Sequence, residues 1–150
     1  MPLCVHGHFY QPPREDPISN YIPDERGAEP FHNWNEKILA ECYEPNARMG
    51  NFGKISFNIG PTLFDWMWDF APDVAESIVE LERANFLKFG VGNGLAQGYN
   101  HSILPLLPHR DKVTNVRWGV EDFVYRFGHR PQGIWLPETA VDIETRCVLQ

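Results

Sequence analysis

Gly133-Ile134-Trp135-Leu136-Pro137-Glu138 is a short apolar run that ends on a proline and then a carboxylate. Ile134 to Leu136 reads as a buried strand. Pro137 has no N–H to give a sheet ladder, so the strand stops there and Glu138 falls in the loop beyond. In parallel α/β sheets and barrels, the loops after the C-terminal strand ends carry the chemistry. Two earlier stretches, His6-Gly7-His8-Phe9-Tyr10-Gln11-Pro12 and Tyr99-Asn100-His101, read as further loops on that rim. The three are expected to meet around one pocket.

Working outward from Gly133, the next element back is a helix that Asp111 caps and that runs to Phe127. Val113, Val116, Val120, Phe123, Val124 and Phe127 face inward at 3–4 spacing, and Gly128 and Pro131 close it off. His101 to Pro108 is an apolar turn. Before it, Phe89 to Tyr99 holds Gly90, Gly92, Gly94 and Gly98. No GK[ST] follows these glycines and no strand-then-helix frames them, so close backbone packing near a ligand is expected rather than a phosphate loop. A helix starts at Pro72 and carries Val74, Ile78 and Leu81 on one face to about Lys88, with Gly90 as its C-cap.

Thr62 and Asp65 form a cap-like pair before a short helix whose Leu63, Phe64, Trp66, Met67, Trp68 and Phe70 read as core. Lys54 to Ile59 alternates with period two and is a strand ended by Gly60-Pro61. Asn33 and Glu36 resemble a capping box for a helix from Trp34 to about Tyr43, with residues 45–53 a loop. Leu3 to His8 is the first strand. The polar, Pro-rich residues 14–30 are a long loop, and Tyr21, Phe31 and Trp34 let it lie over the rim. Strands alternating with helices imply parallel pairing and right-handed crossovers, hence an open α/β sheet or half a barrel. Asp142 to Gln150 reads as a helix without a stop signal, as if the domain continued.

The 150 residues suit one domain, and an apolar content of 43% with 13% aromatics argues for a packed core rather than disorder. A net charge of −7 without any basic run argues against nucleic acid or an anionic membrane as partner. Cys4, Cys42 and Cys147 are too scattered for a zinc ribbon or a disulfide framework and read as reduced thiols. No signal peptide or membrane span is visible, so the expected location is cytoplasmic.

His6 and His8, two apart, share a face of their strand. With His101 and a carboxylate they suit either a divalent metal or hydrogen bonds to sugar hydroxyls, since a neutral imidazole offers one donor and one acceptor. Glu138 beside Trp135 suits carbohydrate chemistry: the carboxylate can attack an anomeric carbon, and the ring can underlie a sugar. The second carboxyl group that glycoside hydrolysis normally uses is not singled out by spacing, with Asp142, Glu144 and Glu121 all candidates.

Taken together, these stretches resemble glycoside hydrolase family 57, the amylase and glucanotransferase group. His6-Gly-His8-Phe-Tyr-Gln11-Pro12 resembles its first motif. Gly94-Leu-Ala-Gln97-Gly-Tyr99-Asn100-His101 resembles its second, and Gly133-Ile-Trp135-Leu-Pro137-Glu138 its third. The resemblance implies that residues 1–150 are the N-terminal half of an incomplete (β/α)7 barrel. It implies a retaining enzyme on α-glucan oligo- or polysaccharides, with Glu138 as nucleophile. His6, His8, Gln11, His101 and Trp135 would be substrate contacts, with no catalytic metal and no cofactor. The proton donor would be an aspartate of a later motif, beyond this chain's end. The alternatives are a metal-dependent carbohydrate deacetylase and a catalytically inactive sugar-binding module. The motif residues are neutral between hydrolysis and transfer and carry no signal for oligomeric state.

Overall fold

The computed structural model describes residues 3–150. Its strands are β1 (His6–Phe9), β2 (Ser56–Ile59), β3 (Ala96–Gln97) and β4 (Ile134–Trp135). β1 pairs with β2 and β3 with β4, both parallel, and a parallel bridge between Phe57 and Gly94 joins the two ladders. The sheet order is thus β1-β2-β3-β4, the arrangement expected of strands alternating with crossover helices.

This sheet is strongly curved. Three strand spacings of about 4.8 Å would hold β1 and β4 roughly 14 Å apart if it were flat. Yet the rings of Trp135 and His6 stack with centroids 4.7 Å apart. Both side chains therefore lie on a concave face. Alternation along β2 makes the two faces unlike: Ser56 and Asn58 point to the concave side, while Phe57 and Ile59 join the core with Leu63, Met67, Ile78 and Phe123.

The helices that supply this core are α1 (Trp34–Ile38), α2 (Glu44–Arg48), α3 (Pro61–Phe70), α4 (Pro72–Phe89), α5 (His109–Phe127) and α6 (Ile143–Val148). Asn33 caps α1, accepting from Glu36 N–H at 3.0 Å while its own amide donates to the Glu36 carboxylate. Gly90 and Gly128 end α4 and α5 in the left-handed conformation that favours glycine, with φ of 73° and 76°.

Several local expectations change. β1 begins at His6 because Leu3 and Val5 are exposed; Val5 still accepts from Ser56 N–H. The first helix does not stop at Tyr43. A π-helical turn, Leu39–Tyr43, widens it so that Pro45, which has no N–H to offer, is carried into α2. Asn46 Nδ2 then donates to the Cys42 carbonyl at 2.7 Å. Thr62 caps nothing, since α3 starts at Pro61; its hydroxyl donates to the Gln11 carbonyl. Asp111 lies inside the first turn of α5, favourable to the helix dipole but not the cap. Of the α3 aromatics, Phe64 and Trp66 are buried, whereas Trp68 and Phe70 are exposed.

The long loop is ordered around Arg14, whose guanidinium donates to Gln11, Asn35 and Glu25. The glycine-rich segment does cradle an anion, but the anion is the protein's own. Glu82 of α4, fully buried, accepts from the N–H groups of Asn93 and Gly94 at 2.7 and 2.9 Å. A Cβ on Gly92 would stand 1.7 Å from the same carboxylate, so the backbone can come this close only as glycine.

Candidate active site

The three motif stretches meet at the C-terminal ends of β1, β3 and β4. Gly119 and Asn115 of α5 seat the middle one. A Cβ on Gly119 would lie 1.8 Å from the Gln97 carbonyl, so the end of β3 rests directly on the helix backbone. Asn115 then grips the turn before His101: its Oδ1 accepts from Asn100 N–H at 2.8 Å and its Nδ2 donates to the Asn100 carbonyl at 3.1 Å.

Glu138 sits in a tight turn, Pro137–Thr139, that follows β4. Both Glu138 and Thr139 adopt left-handed φ, 55° and 54°, unfavourable for residues with a Cβ. Hydrogen bonds from Thr139 N–H to Leu136 and from Ala140 N–H to Pro137 hold that turn. Downstream, Asp142 caps α6, and the buried Lys112 donates to Glu144 at 2.8 Å with Asp142 at 3.4 Å. The Glu144 carboxylate raises the Lys112 pKa, so this anchor stays charged. Asp142 and Glu144 are thereby committed to Lys112.

The concave face carries one continuous hydrogen-bond chain. Ser56 Oγ lies 2.9 Å from His6 Nδ1, and His6 Nε2 lies 3.1 Å from Asn58 Oδ1. Asn58 Nδ2 is 2.9 Å from His8 Nδ1 and also donates to Gln97 Oε1. His8 Nε2 is 3.1 Å from His101 Nε2, and His101 Nδ1 faces Glu138 Oε1 at 3.8 Å. In the proton arrangement that the shorter Asn58 Nδ2 contact favours, His8 accepts at Nδ1, donates from Nε2 to His101, and leaves the His101 Nδ1–H directed at the carboxylate. Burial lowers the His8 pKa, and the neighbouring His101 and His6 push the same way; Asn58 Oδ1, once the ring protonates, pulls against them. A neutral His8 is what the chain requires.

Aromatic rings wall this chain. Trp135 stacks on His6 and lies 5.2 Å from His8, and Tyr10 stacks on His101 at 4.0 Å. Trp135 Nε1 and Gln97 Nε2 are buried with no partner among the described residues, N–H donors left over at the floor of the site. Of the residues singled out from sequence, His6, His8, His101, Trp135 and Glu138 come together. Gln11 does not join them: its amide donates to Tyr43 and accepts from Arg14, so it anchors the long loop. The sequence reading passed over Ser56, Asn58, Gln97 and Tyr10. The polar positions of the Ser56-Phe57-Asn58-Ile59 alternation were the available signal.

Among the described residues no group of three or more His, Cys, Asp or Glu is arranged to hold a metal ion. Among the same residues no helix is long and apolar enough to cross a membrane. A hollow of about 630 Å³ between α5 and α6, lined by Val116, Val120, Ile134 and Leu149, contains none of the motif side chains that converge.

The model of a known family, described as glycosyl hydrolase family 57, matches residues 4–150. The chain is 23% identical over 128 residues to the 1,4-alpha-glucan branching enzyme TK1436 of Thermococcus kodakarensis, covering 82% of this chain and 18% of that protein. The crystal structure of a 4-alpha-glucanotransferase from Thermococcus litoralis shares the fold. It aligns over 97% of this chain and 20% of that one, with a TM-score of 0.67 at 19% identity. The chain thus spans about a fifth of the length of these relatives.

Proposed function

The chain belongs to glycosyl hydrolase family 57, and from that premise we propose that it is the nucleophile-bearing part of a retaining enzyme that hydrolyses or transfers α-glucan chains. The single observation that carries this reading is the chain of hydrogen bonds that ends on His101, whose Nδ1 faces Glu138 Oε1 at 3.8 Å. In the proposed reaction, Glu138 attacks the anomeric carbon, the glycosidic C–O bond breaks, and a covalent glycosyl-enzyme forms. His101 Nδ1–H, held in place by His8 and Asn58, is directed at the carboxylate. Trp135 and Tyr10 offer aromatic faces to the sugar ring, while Trp135 Nε1 and Gln97 Nε2 are unfilled donors suited to a hydroxyl-rich ligand. The acid that protonates the leaving oxygen is assigned, on the family resemblance, to an aspartate outside these residues.

The same premise makes residues 1–150 the N-terminal part of one catalytic domain. It makes the four-stranded arc half of an incomplete (β/α)7 barrel, a reading the curvature between β1 and β4 supports. The three free cysteines fit a cytoplasmic setting. A fluorinated α-glucosyl fluoride tests the proposal, because its activated leaving group removes the need for a proton donor. Intact-mass and peptide mass spectrometry should find one adduct, on Glu138, and none on Glu138→Gln. A folded chain that gives no adduct would overturn the nucleophile assignment.

A further inference from the structure

Three hollows of about 540, 370 and 320 Å³ lie end to end along the outer side of α5. The first, against α3, is lined by Asp65, Trp68 and Asp69 and shares Tyr125 with the second. The second adds Tyr99 and Glu121 and shares Trp118 with the third, which reaches Asn100 and Ser102. These last two residues flank His101. A trough therefore leads from the side of the molecule to the rim of the candidate active site, spanning about 22 Å of α5 between Asp111 and Arg126.

Its chemistry is specific. Trp118 and Tyr125 are seven residues apart, two helical turns and about 10 Å along one face, and they are 56% and 85% exposed. Trp68 is exposed beside them. Asp65 and Asp69 line the hollow with Trp68 and Tyr125, Glu121 and Asp122 the one between Tyr125 and Trp118, and Asp111, Thr114, Asn115, Asn100 and Ser102 the one beyond Trp118. Among the described residues the one cation lining the trough, Arg126, is nearly buried and paired with Asp65 and Asp122. That balance repels nucleic acid and anionic lipid, and the interleaved acceptors suit no continuous apolar helix. Flat aromatic faces alternating with hydrogen-bonding groups match a neutral sugar chain, whose C–H faces and hydroxyl edges alternate in the same way. We propose that this trough is a second α-glucan-binding site, which holds the distal part of a long chain whose near end lies at Glu138. The choice of sugar rests on the function proposed above.

Gel-affinity electrophoresis and calorimetry with soluble amylose test this on the whole chain, with dextran as the control polymer. The parent and Glu138→Gln should both be retarded by amylose. Trp118→Ala with Tyr125→Ala should lose about tenfold in amylose affinity with an unchanged melting temperature, and Trp118→Phe, which keeps a ring, should lose little. A parent that ignores amylose, or a double variant retarded like the parent, overturns the trough. So does self-association through Trp118 without amylose binding, which would make the surface a protein interface. Labelling of Glu138 is scored separately: Trp118-dependent retardation without an adduct keeps the trough and removes the nucleophile, and an adduct without retardation does the reverse.

Discussion

The two ends of β3 are fastened to the helices behind them by opposite means. At its N-terminal side, a fully buried carboxylate, Glu82, takes two backbone N–H groups of the glycine-rich turn. At its C-terminal side, next to the candidate active site, the grip is neutral: the Asn115 amide holds Asn100, and Gly119 lets the Gln97 carbonyl touch the helix. The buried charge at the N-terminal side is met on one oxygen by the two N–H groups and on the other by the His129 ring, whose Nε2 stands 3.2 Å away, and nothing in the candidate site depends on the field around it. Beside Glu138 and three histidines, a neutral anchor leaves the electrostatics of the pocket to the groups that act in it.

Breaking the neutral end should cost most. Gly119→Ala sets a methyl group against a backbone carbonyl that cannot swing aside, and we expect a loss of about 3 kcal/mol or more in urea unfolding. Glu82→Ala strands two backbone N–H groups at the other end, the Gly94 one buried and the Asn93 one half-buried, and should cost about 2–3 kcal/mol while Glu138 still labels in the folded fraction. That separation is the sharpest form of the comparison: equal labelling losses in the Glu82 and Gly119 variants would show that the two ends act as one. Asn115→Ala should cost only about 1–2 kcal/mol, yet slow the labelling of Glu138, because the turn that aims His101 is released.

The smallest effect concerns His8. Its folded pKa lies below the ordinary ~6.5, so its contribution to stability is present above that value. The contribution is lost as the pH falls through 6.5 toward the lowered folded value, because the unfolded chain takes up the proton first. An NMR titration of the His8 ring should give a midpoint below 6.5. A midpoint above it would mean that the pocket end of the molecule is not neutral after all.

Much of this was legible in the sequence because it is local. Gly90, Gly128 and Asn33 announce their caps in a few residues, and Pro137 marks where β4 must end with Glu138 beyond it. The convergence of His6, His8, His101, Trp135 and Glu138 followed from placing three loops on one rim. What stayed hidden depends on partners far along the chain. Glu82 and Lys112 sit on helices where a charged residue reads as solvent-facing, and only Gly94 or Glu144, brought up by the fold, makes their burial tolerable. Asn58 looked like the polar side of a half-exposed strand until β1 and β3 closed over it. The helix through Pro45 needed a π-helical turn, which leaves no mark in hydrophobic spacing.

Asn58 offers His8 Nδ1 both of its side-chain atoms, Nδ2 at 2.9 Å and Oδ1 at 3.2 Å. A row of hydrogen bonds usually has a single sense, set by whichever end cannot change. Here the end can answer in either sense, so the protons on His8 and His101 can all step one place along while every heavy atom stays where it is. The row is then a two-state memory written only in protons. Its two states would give the same electron density at ordinary resolution, and would differ in neutron scattering and in nitrogen chemical shifts.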